Sequence, residues 1–431
     1  MERRGPPLPD GPVLVVANHP NALVDPMVLF SIAGRSTRPL AKAPLFDQAL
    51  VGTVLRGLGG LPVYRRQDDA SLMGGNDRTF AAAVEALRAG GAVQIYPEGQ
   101  SHSGPALTPL KTGAARIALL AEEQAGWDLG LVIIPVGLTY ERKHLFRGCV
   151  VATVGERLLV GGWRERHRAD PQAAVRALTA ELAERLGAVT LNLEDAADRP
   201  LLDVAERLYV REKGLAGWRE RESLGRRLPR LQAFARGLAW LRAHDPDAYG
   251  HLRRRVESYG RLQELLGVND ADVPRRYGVG PVTRFAVREG MWLMALLPLA
   301  AVATVAWAVP YWIPRWVVAS VRPEHDAIST YKLGAAILAF PLAWMAWGLA
   351  AYVAAGAGWG VGVMAALPAA GLRWVAWTER WRRVSEDVRV FLRAAPRSRL
   401  RERLGGLRSR LAEEFEAVAA ILPDGEEPPG A

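Results

Sequence analysis

The sequence predicts an α/β fold: a sheet with flanking helices, followed by a helical region and C-terminal transmembrane helices. Three observations carry this. Short apolar runs rich in β-branched residues recur at positions 13–16, 92–95, 131–136 and 150–154. The segments between them show helical spacing rather than alternation. Beyond them strand signals stop, and two charge-free apolar stretches follow at 291–312 and 333–372, each longer than the roughly 20 residues needed to cross a bilayer.

In chain order, the run at 13–16 is the first strand, closed by Asn18, His19 and Pro20. Residues 77–88 read as a helix stopped by Gly90-Gly91, and residues 109–125 as another, with Ala114, Ile117, Ala118 and Ala121 on one face. Strands alternating with helices imply helices packed on a sheet, whose ligand sites lie at strand ends. His19 and Glu98 both fall there, directly after their runs. Asp170-Pro171 opens a further helix with cap and first-turn chemistry, running to Leu186-Gly187. From 201 to 277 the chain is rich in Arg, Leu and Glu at helical spacing, the arginines read as solvated faces. The expected organisation is a first domain over 1–198, a helical region over 199–283, a membrane-embedded region over 284–375, and a basic helical segment with a disordered tail over 376–431.

The chain has 431 residues and carries 55 Lys+Arg against 45 Asp+Glu, a formal net charge of +10. Nucleic acid and an anionic membrane surface both fit such a balance. The arginines crowd the flanks of apolar stretches (Arg373, Arg380, Arg382, Arg383) and no nucleic-acid module is visible, so the lipid bilayer is the expected partner and nucleic acid is not. Cys149 is the only cysteine, which excludes disulfides within the chain and multi-thiolate zinc sites; the seven histidines lack metal-site spacing, so no metal is expected. The N-terminus lacks the apolar run of a signal peptide, so the first domain is expected on the cytoplasmic side. Arg284 and Arg288 before the first apolar stretch, and the Arg-rich segment after the second, both favour the cytoplasm, so an even number of crossings is expected, two by this reading. The second stretch breaks near 355–358. The tryptophans of both stretches suit membrane interfaces, several of them sitting deeper.

Four blocks bear on chemistry. His19 and Asp25 can form a carboxylate-oriented general base, the Asp taking the proton on one ring nitrogen and leaving the other for a substrate hydroxyl. Gly60-Leu61-Pro62-Val63-Tyr64-Arg65 ends in an arginine whose planar fork matches phosphate oxygens, with Arg66 beside it. Tyr96-Pro97-Glu98-Gly99 is a tight turn in which Glu98 could bond acceptor hydroxyls, Gly99 lets the backbone approach a ligand, and Ser101 could assist. Residues 132–136 form an apolar strand containing Pro135.

In this order the blocks resemble the glycerolipid acyltransferase family, which acylates glycerol-3-phosphate and lysophosphatidic acid. The resemblance covers roughly the first half of the chain and implies a glycerol-3-phosphate acyltransferase-like fold. It implies His19 as base, Asp25 as its orienting partner, Arg65 on the phosphate, and Lys42 and Lys111 as further substrate-binding candidates. It also implies acyl-CoA or acyl-carrier protein as co-substrate with no cofactor, and a phosphorylated glycerol acceptor used in phospholipid synthesis. One departure stands out: the family usually leaves four residues between His and Asp, whereas five lie here. Positions six apart on a regular helix are rotated by roughly 600° and share no face, so the pair must span a turn before a helix begins. Two other readings stay open: an acyltransferase acting on another lysolipid or an aminolipid, and a membrane-tethered lipid-binding scaffold whose dyad is disabled by the extra residue.

Overall fold

The computed structural model describes residues 1–63, 74–145, 148–212, 222–266, 279–394 and 398–421. Arg65, Arg66 and the tail at 423–430 therefore lie outside the described residues. The first part of the chain supplies strands β1 (Glu2–Arg4), β2 (Val13–Ala17), β3 (Thr37–Lys42), β4 (Leu61–Val63), β5 (Ala92–Ile95), β6 (Val132–Glu141), β7 (Cys149–Val154) and β8 (Leu158–Leu159). Interleaved with them are helices α1 (Val24–Ile32), α2 (Ala49–Gly57), α3 (Gly74–Arg88) and α4 (Gly113–Gln124), followed by α5 (Arg164–Ala169) and α6 (Pro171–Val189).

The strands form one sheet in the order β1-β7-β6-β2-β5-β3-β4, with β8 alongside β6. Strand β2 runs parallel to β5 and β6, and β7 returns antiparallel to β6. All five residues of β2 are buried, as expected of a parallel strand covered on both faces. Its side chains alternate between two cores. Leu14 and Val16 join Leu87, Ile117, Leu178 and Leu182 beneath α3, α4 and α6. Val13, Val15 and Ala17 join Val28, Leu29 and Ile32 of α1 on the other face. Asp170 caps α6, accepting from the N–H groups of Gln172 and Ala173 ahead of Pro171. At the other end of α6 the backbone crosses β6 so closely that a Cβ on Gly137 would lie 1.9 Å from the Val189 carbonyl oxygen, so only glycine fits.

A helical region follows: α7 (Arg199–Glu212), α8 (Leu224–His244) and α9 (Pro246–Leu266). Leu224, Leu228 and Leu231 of α8 pack on Val151 of β7, covering that side of the sheet. Then come α10 (Val279–Ala295), α11 (Leu297–Val321), α12 (Ile328–Ala355), α13 (Ala357–Ala394) and α14 (Ser398–Ile421). The last of these folds back onto the helical region, where Leu404, Leu411 and Phe415 share a core with Leu201, Leu208, Leu252 and Tyr259.

Among the described residues, three helical segments are long and apolar enough to cross a membrane: Leu297–Val321, Ile328–Ala355 and Ala357–Arg382. The apolar stretch at 291–312, read from the sequence as one span, is divided between α10 and α11. The division has a local cause, since Pro298 sits in the first turn of α11, where a missing N–H does no harm. The stretch at 333–372 breaks at Gly356, whose φ of +90° closes α12. Several tryptophans work as bolts between helices. Indole N–H groups of Trp307, Trp344 and Trp347 donate to the carbonyls of Leu367 (3.3 Å), Met364 (2.8 Å) and Ala306 (3.0 Å). In lipid such a donor must find its partner within the protein.

Candidate active site

The site gathers at the carboxyl ends of β2, β5 and β6, which lie side by side in the sheet. After β2 the chain makes a turn through Pro20, Asn21 and Ala22, with Ala22 in the left-handed region at φ +36°. Helix α1 begins at Val24, so Asp25 lies in its first turn while His19 precedes the turn. This turn absorbs the extra residue of spacing. The His19 Nδ1 lies 2.8 Å from Asp25 Oδ2, the carboxylate side chain is wholly buried, and the imidazole keeps 16% exposure. With Nδ1 committed to Asp25, Nε2 is the nitrogen that remains for a substrate hydroxyl.

Asp25 has two further donors. The Asn21 N–H donates to Oδ2 at 2.7 Å, and the Tyr140 hydroxyl donates to Oδ1 at 2.6 Å. Burial, then the charge of Asp25, push the Tyr140 hydroxyl far above its usual range, so it stays protonated and can only donate to the carboxylate. Tyr96 stacks on the His19 ring with centroids 4.1 Å apart and planes 18° apart. It too is held neutral, by burial and then by Asp25. Asn18 fastens the end of β2 to β6: its amide donates to the Leu138 carbonyl (3.0 Å) and accepts the Leu138 N–H (2.7 Å).

Glu98 has a different place from the one its motif suggested. Rather than facing acceptor hydroxyls, it is 3% exposed and its oxygens are taken by protein donors. Oε1 accepts the His19 backbone N–H (3.0 Å), while Oε2 accepts the N–H and hydroxyl of Thr108 (2.9 and 3.1 Å) and meets His102 Nε2. The His102 N–H returns to the His19 carbonyl at 3.0 Å. Glu98 thus clamps the loop after β5 to the loop after β2. Burying the carboxylate is tolerable because every oxygen is satisfied.

Gly99 has φ +76°, and a Cβ there would lie 2.5 Å from Lys111 Nζ. The room a side chain would fill is occupied by Lys111 rather than left for a ligand backbone approach. That brings the Lys111 ammonium to the turn. Lys42, half-buried, ends β3 opposite Val63 of β4, two strands from β2 in the order β2-β5-β3 and so about 10 Å across the same edge. The Ser101 hydroxyl hydrogen-bonds Asp326, which lies between α11 and α12, so it faces the apolar helices rather than solvent alone.

Tyr140, Lys143 and Asp326 are the participants the motifs did not bring out, and Asn18 was visible only as the residue that closes the first strand. A signal was present for two of them. Tyr140 lies near the end of β6 and Lys143 just after it, at the sheet edge where sites concentrate. Lys143 Nζ donates to the Pro20 carbonyl (2.8 Å) and to Ser103 Oγ (2.7 Å), tying the same two loops together. Replacing Tyr140 with Phe should leave Asp25 Oδ1 without its donor and cost about 1–3 kcal/mol of stability. Urea unfolding of the variant beside the native chain checks this.

The geometry can be set beside known proteins. Residues 3–139 match the family model described as Acyltransferase. Over 201 residues the chain is 30% identical to Glycerol-3-phosphate O-acyltransferase 2 of Saccharomyces cerevisiae, covering 46% of this chain and 26% of that protein. Over 183 residues it is 28% identical to Glycerol-3-phosphate O-acyltransferase 1 of the same organism, covering 42% of this chain and 22% of that protein. The chain therefore spans about a quarter of the length of these relatives. Among solved structures, the 1-acyl-sn-glycerophosphate (LPA) acyltransferase PlsC from Thermotoga maritima aligns at 20% identity with a TM-score of 0.31, over 43% of this chain and 69% of that one.

Proposed function

We propose, from the match of residues 3–139 to the Acyltransferase family model, that the chain moves a fatty acyl group from an acyl thioester to a hydroxyl of glycerol-3-phosphate or of its 1-acyl form. The donor is acyl-CoA or acyl-carrier protein. The observation that carries this reading is the 2.8 Å contact between His19 and a wholly buried Asp25 at the carboxyl edge of the sheet.

The chemistry needs few parts. His19 Nε2 takes the proton of the acceptor hydroxyl as its oxygen attacks the thioester carbonyl. Asp25 holds the other ring proton on Nδ1 and stabilises the imidazolium that forms. Collapse of the tetrahedral intermediate breaks the C–S bond, and the imidazolium returns its proton to the departing thiolate. A thioester brings its own good leaving group, so no enzyme nucleophile or metal takes part. Glu98 positions the base by gripping the His19 N–H, and Tyr140 keeps Asp25 in register. Arg65, Lys42 and Lys111 are the substrate-binding cations of this reading. Membrane attachment through α11–α13 lets the acyl chain stay in lipid, since each methylene drawn into water costs about 0.8 kcal/mol. The basic residues after Leu372 favour the cytoplasmic side. Helix α14, packed on the helical region that follows the catalytic domain, shares that domain's side, so in this reading an even number of the apolar helices crosses fully.

The test is an acceptor panel assayed with one labelled acyl donor on the full chain in phospholipid discs. Labelled product from glycerol-3-phosphate or its 1-acyl form supports the proposal. Product only from an unphosphorylated lysolipid or an aminolipid transfers the assignment to that acceptor. No product from any acceptor with either thioester donor sinks it.

A further inference from the structure

The start of α12 sends its polar side chains away from its own helix. Asp, Ser and Thr at such a place ordinarily accept from the free N–H groups of the first turn. Here the N-cap is Ala327, and among the described residues no side chain caps the helix. Asp326, Ser329 and Thr330 reach instead to the loops after β5, β6 and β2, one to each.

On the β5 side, the 7% exposed Asp326 accepts the Ser101 hydroxyl. The next residue is His102, whose N–H holds the His19 carbonyl. On the β6 side, Ser329 Oγ donates to the Lys143 carbonyl at 2.9 Å. Lys143 Nζ in turn grips the Pro20 carbonyl at 2.8 Å, and the charge of Asp326 acts on the same ammonium. On the β2 side, Thr330 Oγ1 accepts the Leu23 N–H at 3.2 Å, across 307 positions of chain. Leu23 is the N-cap of α1, two residues before Asp25, and its N–H is one of the donors a helix start leaves free.

These contacts bracket Ala22, whose φ of +36° makes the turn that brings His19 and Asp25 together. A non-glycine residue keeps such a backbone state only where its surroundings over-determine it. Thr330 fixes the residue after Ala22, and Lys143, itself held by Ser329, fixes Pro20 on the other side.

We propose that Asp326, Ser329 and Thr330 are positioning residues for acyl transfer: the start of α12 pins the turn between His19 and Asp25, so the dyad is aligned only while the apolar helices are docked. The inference rests on the acyl-transfer reading and deepens it, because the helices then set the rate as well as holding the chain at lipid.

Hydrogen exchange read by mass spectrometry, with labelled-donor kinetics, tests this on the full chain in phosphatidylcholine discs. Thr330→Val keeps the side-chain shape and removes the acceptor. Exchange over residues 18–25 should rise several-fold, while β2 and α12 keep native protection. Its kcat should fall about tenfold with both KM values kept, a milder misalignment than the 1 Å displacement that costs about 10²-fold. Thr330→Ser, which keeps the Oγ, should return kcat to within about threefold of native. Asp326→Ala should raise exchange over residues 99–104 and lower kcat in the same way. Placed on Asp25→Asn, Thr330→Val should cost less than about twofold more, since no oriented carboxylate is left to misplace; a mere loss of folded protein would cost the full factor in either background. Native exchange over 18–25 in Thr330→Val, native kcat in that variant, or a full tenfold loss on top of Asp25→Asn overturns the positioning role. Acyl transfer fails separately. A native chain that transfers no acyl group sinks that reading, while exchange over 18–25 still decides whether Thr330 holds the turn.

Discussion

Replacement of His19 with Ala is expected to lower kcat for acyl transfer by about 10²–10⁴-fold, the range a positioned general base contributes. The fold should survive. The links that His19 makes to its surroundings are largely main-chain, its N–H to Glu98 Oε1 and its carbonyl to the His102 N–H, and alanine keeps both. What is lost besides the base is the ring stacked on Tyr96, about 0.5–1.5 kcal/mol, and the Nδ1 partner of the buried Asp25 carboxylate, about 1–3 kcal/mol. Labelled-donor assays, with circular dichroism and co-sedimentation with vesicles as controls, read this directly. Substantial transfer by a folded, vesicle-bound variant removes His19 from the chemistry.

The second large effect belongs to Asp25. Asp25→Asn keeps the volume and removes the charge, and it also changes the donor count. In the native site Oδ2 accepts both His19 Nδ1–H and the Asn21 N–H, while Oδ1 accepts the Tyr140 hydroxyl. An asparagine has one acceptor oxygen, so one side of the former carboxylate must present an NH₂ group. If that group faces His19, the ring is driven to the wrong tautomer. If it faces Tyr140, the imidazolium still loses the charge that stabilises it. Either way kcat should fall by about 10²-fold or more. The fall should exceed that of Tyr140→Phe, which keeps the charge and the tautomer. Comparing the two variants' kcat values side by side checks the ranking, and an Asp25→Asn enzyme as active as wild type would remove the orienting role.

The site is legible in the sequence to different depths at different residues. His19 and Asp25 are visible as a pair, yet their spacing leaves open whether they meet. That depends on a turn in which Ala22 takes φ +36°, a backbone state rare enough outside glycine that composition gives no hint of it. Glu98 is visible as a motif but not as a clamp. Its loss of solvent follows from how the loops after β2 and β5 close over each other, and parallel neighbours β2 and β5 are about 80 residues apart in the chain. Tyr140 is 115 residues from its carboxylate, and Ser101 and Asp326 are 225 apart. The apolar helices are likewise written plainly in local composition, while their tryptophan bolts depend on which helix each indole faces.

By itself the sequence determined where the apolar strands β2, β5, β6 and β7 and the long apolar segments run, and which polar residues close β2 and β5; strands β1, β3, β4 and β8 and the break at 296 escaped it. Those properties reside in consecutive residues: a period of two or of 3.6, a charge-free run, a proline or glycine at an end. Only the tertiary structure decided which groups meet Asp25 and Glu98. A buried charge is fixed by whichever donors the sheet order and the docked helices bring to it, and those donors arrive from strands and loops that are distant in the chain.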